Sequence, residues 1–339
     1  MNHQPASLEG IRVLELASVL AGPLAGTDLA LRGATVTKVE RPPHGDVTRS
    51  WRPPTEPHVE DADGNPASAY WMAANRGKQL VWVDLGTTEG LDWLESELSN
   101  TDVLIQNFKS ADLAKFNLQP KSVAKRHPRL IHVRLVGFRH QPERLAYDVV
   151  VQAETGWMHM NGNTPTRMPV ALMDVLASHS IREAALEGLF GRARHPESKG
   201  SFHEVALDEC GVEALVNQAT NHLIGGLSPA FAGNEHPNIA PYGDLLRCRD
   251  GYVVLAVGSD RQFQALCDVL EVGEMAAEDA FVNNSNRLKN RQDLMERLAG
   301  AACHWSKSTL IQTCTERGVP AGAVQSLPEV FSNRPNPWA

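Results

Sequence analysis

The sequence predicts an α/β protein whose mostly parallel sheet carries helices on both faces. Two observations lead to this fold class. In the first half of the chain, short apolar runs rich in β-branched residues alternate with segments of helical periodicity, and this order is typical of βαβ units. Turns that contain glycine or proline separate successive runs and mark where each element ends.

The stretch from residue 11 to residue 41 is the clearest of these units. It predicts a strand at Ile11–Leu16, a helix at Ala25–Leu31 and a second strand at Thr35–Glu40. Pro23 is expected at the first helical position, where its missing N–H leaves no bond unmade. Because a loop that leads from a strand into a helix N-terminus often binds phosphate in α/β proteins, we expect a nucleotide-like ligand here.

The remaining elements follow from the same periodicities. Further strands are predicted at Gln79–Asp84, Asp102–Gln106, Leu130–Val136 and Tyr252–Val257. Further helices are predicted at Thr88–Ser99, Val149–Trp157, Val175–Phe190, Leu207–Ile224, Asp260–Leu270, Gln292–Ala302 and Ser306–Arg317. The elements divide the chain into a large domain (1–200), a linker helix and loop (201–240), a smaller α+β domain (241–325) and a polar tail (326–339).

The composition limits the partners and the compartment. The chain has 339 residues, is 42% hydrophobic and carries a formal net charge of −8. A negative balance disfavours nucleic acid and anionic membranes as partners, and no apolar run approaches the roughly 20 residues of a membrane span. The five cysteines are widely spaced, which favours reduced thiols, and the polar N-terminus lacks a signal-peptide pattern. We therefore expect a cytoplasmic protein.

Three common chemistries lack their motif in this sequence. The loop of the first unit is A-G-P-L-A-G, whereas a nicotinamide-binding fold uses G-x-G-x-x-G to bring bare backbone to the pyrophosphate, although Glu40 lies about where that fold has its ribose-binding acid. No histidine has the H-E-x-x-H spacing, and Cys303-His304 is a lone dipeptide. The hydrolase motif G-x-S-x-G is absent as well. We predict neither a metal site nor a nicotinamide site.

A set of phrases spread along the chain is more specific. They are VLELASVLAGPLAGTDLALRGATVTKVERPPHGDVTR, NRGKQLVWVDL, DVLIQNF, AYDVVVQAETG, PVALMD and PYGDLLRCRDGYVVLAVGSDRQF. In this order they strongly resemble the class III CoA-transferases of the CaiB/BaiF family, from about Leu8 to Val324. The resemblance implies a large Rossmann-like domain joined by long linkers to a small domain, and a homodimer whose two chains interlock.

The resemblance also implies a reaction and its nucleophile. The family's nucleophilic Asp ends the phrase PVALMD, which makes it Asp174 here. Its carboxylate would attack an acyl-CoA to give a mixed anhydride, the CoA thiolate would return to form an enzyme–CoA thioester, and an acceptor carboxylic acid would take the CoA. Because Asp174 precedes the helical run Val175–Phe190, we expect it at or near an N-cap, ionised, with an ordinary pKa of about 3.9.

Further residues are implied to contact CoA, which we expect as a substrate rather than as a tightly bound cofactor. The implied contacts are Val19 and Leu20 with the nucleotide, Arg41 and Lys115 with the phosphates, and Asn107 and Phe108 with the CoA chain. Arg76 and Lys78 are additional candidates for phosphate binding. The expected partners are thus an acyl-CoA, a carboxylic acid and a second copy of the chain.

Tyr147 and Asp148 form an aromatic–acid pair, and Asp148 lies 26 residues before Asp174. Related transferases have such a pair close to the active site, whereas racemases of the same superfamily have a His-Asp pair that removes the α-proton. A tyrosine with an ordinary pKa of about 10 is a poor base at neutral pH, which favours transfer. Two alternatives stay open: an α-methylacyl-CoA racemase or epimerase, and a non-catalytic CoA-binding relative, which the altered segment Gly137–His140 suggests.

Overall fold

The computed structural model describes residues 6–227, 233–332 and 334–336. Its strands are β1 (Arg12–Glu15), β2 (Thr35–Glu40), β3 (Val59–Glu60), β4 (Pro66–Ala67), β5 (Gln79–Trp82), β6 (Val103–Gln106), β7 (Ile131–Val136), β8 (Phe202–Ala206), β9 (Tyr242–Cys248), β10 (Gly251–Ala256) and β11 (Ala321–Ala323). Its helices are α1 (Ala21–Ala30), α2 (Ala69–Ala73), α3 (Thr88–Leu98), α4 (Ser110–Lys115), α5 (Pro120–Arg126), α6 (Asp148–Glu154), α7 (Trp157–Met160), α8 (Leu172–Arg194), α9 (Leu207–Glu213), α10 (Val216–Leu223), α11 (Asp260–Val269), α12 (Asn284–Lys289), α13 (Arg291–Ala302), α14 (Lys307–Glu316) and α15 (Leu327–Phe331).

The chain folds into two compact units. The first comprises residues 6–157 and 167–220, and the second comprises 158–166 together with the described residues from 221 to 336. Parts of two predicted segments, 228–232 in the linker and 333 and 337–339 in the tail, lie outside the described residues. Within the described part of the chain, no helix is long and apolar enough to cross a membrane.

The first unit is built on a six-stranded sheet. Its strand order is β5-β2-β1-β6-β7-β8, and every neighbouring pair is parallel. All residues of β6 and β7 are buried, as expected for central strands that helices cover on both faces. The α/β prediction with a parallel sheet is confirmed.

Neighbouring residues in the strands point to opposite faces of this sheet and enter two separate cores. Val13 and Ile105 belong to a cluster that contains residues of α1 and α8. Leu14 and Leu104 belong to a second cluster with residues of α3, α4 and α5. Because both faces of the central strands are apolar, the carboxyl edge of the sheet is where loops and polar side chains gather.

Several helix boundaries differ from those predicted. Helix α1 begins at Ala21, so Pro23 is its third residue rather than its first. The backbone N–H groups of the first turn have no partner within the helix, so the missing N–H of Pro23 costs no hydrogen bond at this position. Helix α8 begins at Leu172, with Ala171 at its N-cap, so Asp174 lies within the first turn and caps nothing. The helix also continues past Gly191 to Arg194. The helix predicted at Leu207–Ile224 is two helices, α9 and α10.

The sequence interpretation missed strands β3, β4, β8, β9 and β11. Strand β8 pairs with β7 from His132 opposite Phe202 to Val136 opposite Ala206. Residues 202–206, predicted as the start of the linker, are therefore part of the sheet. This edge strand reads FHEVA and mixes charge with apolar residues, so its own pattern is weak.

The second unit has an antiparallel sheet of order β11-β10-β9. Its core includes Phe263, Phe281, Leu294 and Leu310, which are buried among the strands and helices α11, α13 and α14. A hairpin joins β9 to β10, with Gly251 opposite Cys248. The unit is thus a small α+β structure.

Candidate active site

The loop between β1 and α1 is held from two sides at the carboxyl edge of the sheet. Asn107, at the end of β6, accepts the Ser18 N–H at 3.2 Å and donates to the Ser18 carbonyl at 3.1 Å. The carboxylate of Asp46 accepts the Val19 N–H, with Oδ2 at 3.1 Å. Val19 has φ +74°, a left-handed conformation that β-branched residues rarely adopt. Such strain is often found at functional sites.

A first cavity of about 190 Å³ opens beside this loop. Three of the predicted CoA-binding residues, Arg41, Phe108 and Lys115, line it together. The Arg41 side chain is 77% exposed, and its Nε lies 3.5 Å from an oxygen of Asp84. Both cations are therefore open to solvent in a cavity of a size and polarity suited to part of an anionic ligand.

A second cavity of about 160 Å³ shares Ser18 and Phe108 with the first. The predicted residues that line it are Val19, Leu20, Asn107, Phe108, Tyr147 and Asp174. Residues that lie far apart in the sequence thus meet at one end of the sheet. Because the two cavities share Ser18 and Phe108, the exposed cations Arg41 and Lys115 border one cavity and the carboxylate of Asp174 borders its neighbour.

Asp174 is only 9% exposed, in the first turn of α8. Burial, and next the charge of Asp148, raise its pKa to about 7. The expectation of an ordinary pKa near 3.9 is therefore wrong, because desolvation outweighs the attraction of the helix N-terminus for a negative charge. No hydrogen bond from the described residues reaches this carboxylate, so its oxygens are free to react.

Asp148 is buried behind the second cavity and does not line it. Its Oδ1 accepts the Met173 backbone N–H at 2.6 Å, and its Oδ2 accepts the Gln152 amide at 2.5 Å. Gln152 in turn accepts the Met168 N–H at 2.7 Å. Asp148 therefore fixes the start of α8 one residue before Asp174, which is a positioning role.

Tyr147 lines the second cavity, with 54% of its surface exposed. Its ring centroid lies 6.3 Å from that of Trp51, which is 5.5 Å from Tyr70. Burial, and next the carboxylates of Asp174, Asp148 and Asp46, raise the pKa of Tyr70 to about 12. The sequence interpretation missed Trp51 and Tyr70, because neither lies in a motif that suggests contact with α8.

Two of the predicted phosphate contacts, Arg76 and Lys78, line neither cavity. The Lys78 ammonium is buried, 2.7 Å from Glu15, and donates to the carbonyls of Pro23 and Ala74, each at 2.7 Å. Burial is the main cause that lowers its pKa to about 7. Lys78 is thus used in joining α1 to the sheet, and in this arrangement its ammonium does not face a phosphate.

The described residues contain no group of three or more His, Cys, Asp or Glu side chains arranged to hold a metal ion. Their five cysteines are free thiols, of which Cys303 alone is exposed. The side chains that border the two cavities offer carboxylates, hydroxyls and cations.

The parallel sheet of the first unit agrees with the comparison to known proteins. The model of CoA-transferase family III matches residues 8–336, and the chain belongs to this family. The resemblance to the class III, CaiB/BaiF enzymes is confirmed, and the chain is a CoA-transferase.

Individual relatives are similar to nearly the whole of this chain. The chain is 37% identical to the succinate–glutarate CoA-transferase of Agrobacterium fabrum, a match that covers 98% of this chain and 84% of the relative. It is 31% identical to the succinyl-CoA:mesaconate CoA-transferase of Haloarcula hispanica, covering 96% and 82%. Among solved structures, a CaiB/BaiF family protein from Brucella suis matches with a TM-score of 0.84 and 38% identity, covering 97% of this chain and 87% of that one.

Proposed function

We propose that this enzyme moves CoA from an acyl-CoA to an acceptor carboxylic acid through covalent intermediates on Asp174. The observation that carries the proposal is the position of this carboxylate. It is buried, accepts no hydrogen bond from the described residues and lines the cavity next to the one with Arg41 and Lys115. A desolvated carboxylate is a stronger nucleophile than a hydrated one, and a cavity that excludes water protects an anhydride from hydrolysis.

The proposed steps exchange one activated acyl group for another. A carboxylate oxygen of Asp174 attacks the thioester carbonyl of the donor, and the C–S bond breaks. The CoA thiolate departs, and a mixed anhydride of Asp174 and the donor acid forms. The thiolate then attacks the Asp174 carbonyl and releases the donor acid, which gives an enzyme–CoA thioester. The acceptor carboxylate attacks the carbonyl of that thioester and displaces the CoA thiolate, which gives a mixed anhydride of Asp174 and the acceptor acid. The thiolate finally attacks the acceptor carbonyl of this anhydride, which gives the acceptor acyl-CoA and frees the Asp174 carboxylate. No step changes oxidation state, and each bond broken is matched by one formed.

The CoA is proposed to lie along the two adjoining cavities. Arg41 and Lys115 would contact its phosphates, and the loop residues Val19 and Leu20 together with Asn107 and Phe108 would contact the rest of the molecule up to the thioester. These residues line the cavities concerned. Contacts far from the reacting carbonyl hold it against Asp174, so that binding energy supports the chemical step.

We infer that the acceptor is a dicarboxylic acid. The names of two relatives specify succinate, glutarate and mesaconate as their acids. The second cavity offers a cation for a distal carboxylate: Lys109 lines it and has no ion pair among the described residues, whereas Arg144 is paired with Glu154. An ammonium near the nucleophile favours acids with a second negative charge.

The enzyme is proposed to work as an interlocked homodimer in the cytoplasm. Apolar side chains around α10 are exposed in the single chain, among them Val216, Leu223 and Ile224, and a second copy would bury them. The buried free thiols fit a reducing compartment. Light scattering of the purified protein measures the mass, and a monomer at micromolar concentration would contradict the dimer.

Replacement of Asp174 with Ala tests the function. The variant should lose CoA transfer between succinyl-CoA and glutarate while it still binds CoA; transfer at the wild-type rate would refute the proposal. A racemase would instead exchange the substrate α-proton with deuterated water without any acceptor acid. A non-catalytic relative would bind CoA and neither transfer nor exchange. The residue at position 147 favours transfer. It is an exposed tyrosine, which is a poor base at neutral pH, where a racemase has a histidine.

A further inference from the structure

The carboxylate of Asp46 is a contact of the active-site loop that the sequence motifs did not reveal. It is 5% exposed and lies in the loop that follows β2. Its two oxygens lie 3.1 and 3.4 Å from the N–H of Val19, the residue with φ +74°. A β-branched residue keeps this conformation only where its surroundings hold it there.

The same carboxylate is oriented by its own neighbours. Its Oδ1 accepts the Thr48 N–H at 3.0 Å and the Thr48 hydroxyl at 2.8 Å. Its Oδ2 accepts the Lys38 ammonium at 3.2 Å. Four donors thus converge on Asp46, and together they leave it little freedom to release Val19.

Lys38 balances the charge and makes a second contact with the loop. The side chain is 1% exposed, and its ammonium lies 3.1 Å from Glu15 and 3.0 Å from the carbonyl of Ala17. Burial lowers the pKa of Lys38, but the carboxylates of Glu15, Asp46 and Glu40 raise it by more, and the net change is upward. The ammonium therefore stays charged.

We propose that Asp46, held by Lys38, is a positioning residue that keeps Val19 in its left-handed conformation and so shapes the CoA-binding loop. Asp46, Lys38 and Ala17 border the first cavity, and Val19 borders the second. The inference rests on the proposed function in one respect, namely that CoA is the ligand of these cavities. A buried ion pair is by itself weak evidence for a stabilising role. The positioning role proposed here rests instead on the hydrogen bonds from Val19 to Asp46 and from Lys38 to Ala17.

The first experiment measures the Kd of free CoA by calorimetry for the wild type and for Asp46→Asn. Asparagine keeps the size but cannot accept all four donors, so we expect Kd to rise about tenfold. Asp61→Asn is the matched control: its side chain is 5% exposed, against 1% for that of Asp46, accepts backbone N–H groups and pairs with Arg49, yet it lines neither cavity. That control should keep Kd within about twofold of the wild type.

A second variant guards against misfolding of Asp46→Asn. Thr48→Val removes only the hydroxyl that orients Asp46, and we expect Kd to rise about threefold with a normal circular dichroism spectrum. If Asp46→Asn does not fold, an unchanged Kd in Thr48→Val overturns the proposal. If Asp46→Asn folds and its Kd matches the wild type, the proposal is likewise wrong.

The double variant with Val19→Gly separates positioning from general stability. Glycine adopts φ +74° without strain, so it needs less help from Asp46. In the Val19→Gly background, Asp46→Asn should therefore raise Kd by less than about threefold. An equal effect in both backgrounds would show that Asp46 does not act through Val19.

These outcomes are distinct from those that test the proposed function. A wild-type protein that binds CoA but does not transfer it refutes the function and leaves the Asp46 measurements valid. If the wild type transfers CoA but Asp46→Asn has the same Kd for CoA as the wild type, only the positioning role is refuted. Failure of the wild type to bind CoA would contradict both.

Discussion

The Asp148 carboxylate lies close enough to Asp174 to help raise its pKa, and it also holds the backbone of the preceding residue, Met173, at 2.6 Å. Asp148 therefore positions Asp174 and adds to the rise in its pKa that burial causes. For a carboxylate nucleophile these two effects act in opposite directions. Burial positions the carboxylate, but it also raises the pKa, so that a smaller fraction of the carboxylate is ionised at neutral pH. In this structure a well-positioned, buried carboxylate at position 174 therefore has a raised pKa.

The pH dependence of transfer follows from the pKa of about 7 for Asp174. Only the ionised carboxylate attacks a thioester, so kcat/KM should rise with pH and level off above neutrality. At pH 6 we expect about a tenth of the value at pH 8. Initial rates with succinyl-CoA and glutarate in buffers of constant ionic strength measure this limb. A flat profile between pH 5 and pH 8 would contradict the raised pKa.

Asp148→Asn should move this acid limb to lower pH. The substitution removes the neighbouring charge, which is the second cause of the raised pKa, while burial, the first cause, stays. The amide oxygen can still accept the Met173 N–H, so the helix start is kept. A limb that stays at the wild-type pH would show that burial alone sets the pKa.

Removal of the Asp148 side chain should have a different result. Asp148→Ala leaves the Met173 N–H without its acceptor in a buried place and leaves the Gln152 amide with only the Val170 carbonyl, at 3.3 Å, which costs about 1–3 kcal/mol of unfolding free energy. Loss of placement should lower kcat about 10- to 100-fold with little change in the Kd of CoA. Urea unfolding and steady-state kinetics test the two parts. A variant with weakened CoA binding and an unchanged kcat would contradict the positioning role.

Asp174→Asn should stabilise the protein above neutral pH. The pKa of Asp174 is raised in the folded state from 3.8 to about 7, so between these values the folded state holds a proton that the unfolded state has lost. Wild-type stability therefore falls as pH rises through this window, and the full cost is present above about pH 7. Asparagine does not titrate, so the variant should gain at most about 4 kcal/mol over the wild type at pH 8.

The matched measurement is urea unfolding of both proteins at pH 8 and pH 4. The gain in unfolding free energy should be much smaller at pH 4, where the folded wild-type carboxyl is protonated and about two-fifths of the unfolded carboxyl is protonated as well. If the difference in unfolding free energy between the variant and the wild type were equal at the two pH values, burial of the Asp174 carboxylate would not raise its pKa.

Arg41 and Lys115 should contribute to CoA affinity in a salt-dependent way. Each is a solvent-facing cation of the first cavity, so each alanine variant should raise the Kd of CoA about fivefold at low salt and less at high salt. Lys121→Ala is a suitable control, because Lys121 is exposed and lines neither cavity. Equal effects of all three variants would point to general charge attraction rather than to contacts in the cavity.

The parallel sheet could be predicted because each strand and helix carries its own periodicity. The carboxyl edge of such a sheet then indicates where the loop after β1 belongs, whereas Val19, Asn107 and Asp174 were implied as site residues by the family resemblance. Strand β8 escaped prediction because an edge strand has one exposed side and a mixed pattern. Local pattern thus suffices for buried elements and fails at the margin of the sheet.

The electrostatics of the site could not be predicted from neighbouring residues in the sequence. Lys78 follows a glycine and has the pattern of a surface charge, yet the fold surrounds it with Glu15 and backbone carbonyls. The raised pKa of Asp174 depends on burial and on a carboxylate 26 residues away. Contacts between Asp46 and Val19 join two loops that no motif connects.

Chemical trapping of the enzyme during turnover tests the nucleophile most directly. With succinyl-CoA present, hydroxylamine should convert the enzyme-bound thioester or anhydride into a hydroxamate, and peptide mass spectrometry should locate it at Asp174. The Asp174→Asn variant under the same conditions should carry no hydroxamate at that position. An active wild-type enzyme that stays unmodified at Asp174, or is modified at another carboxylate, would contradict the proposed mechanism.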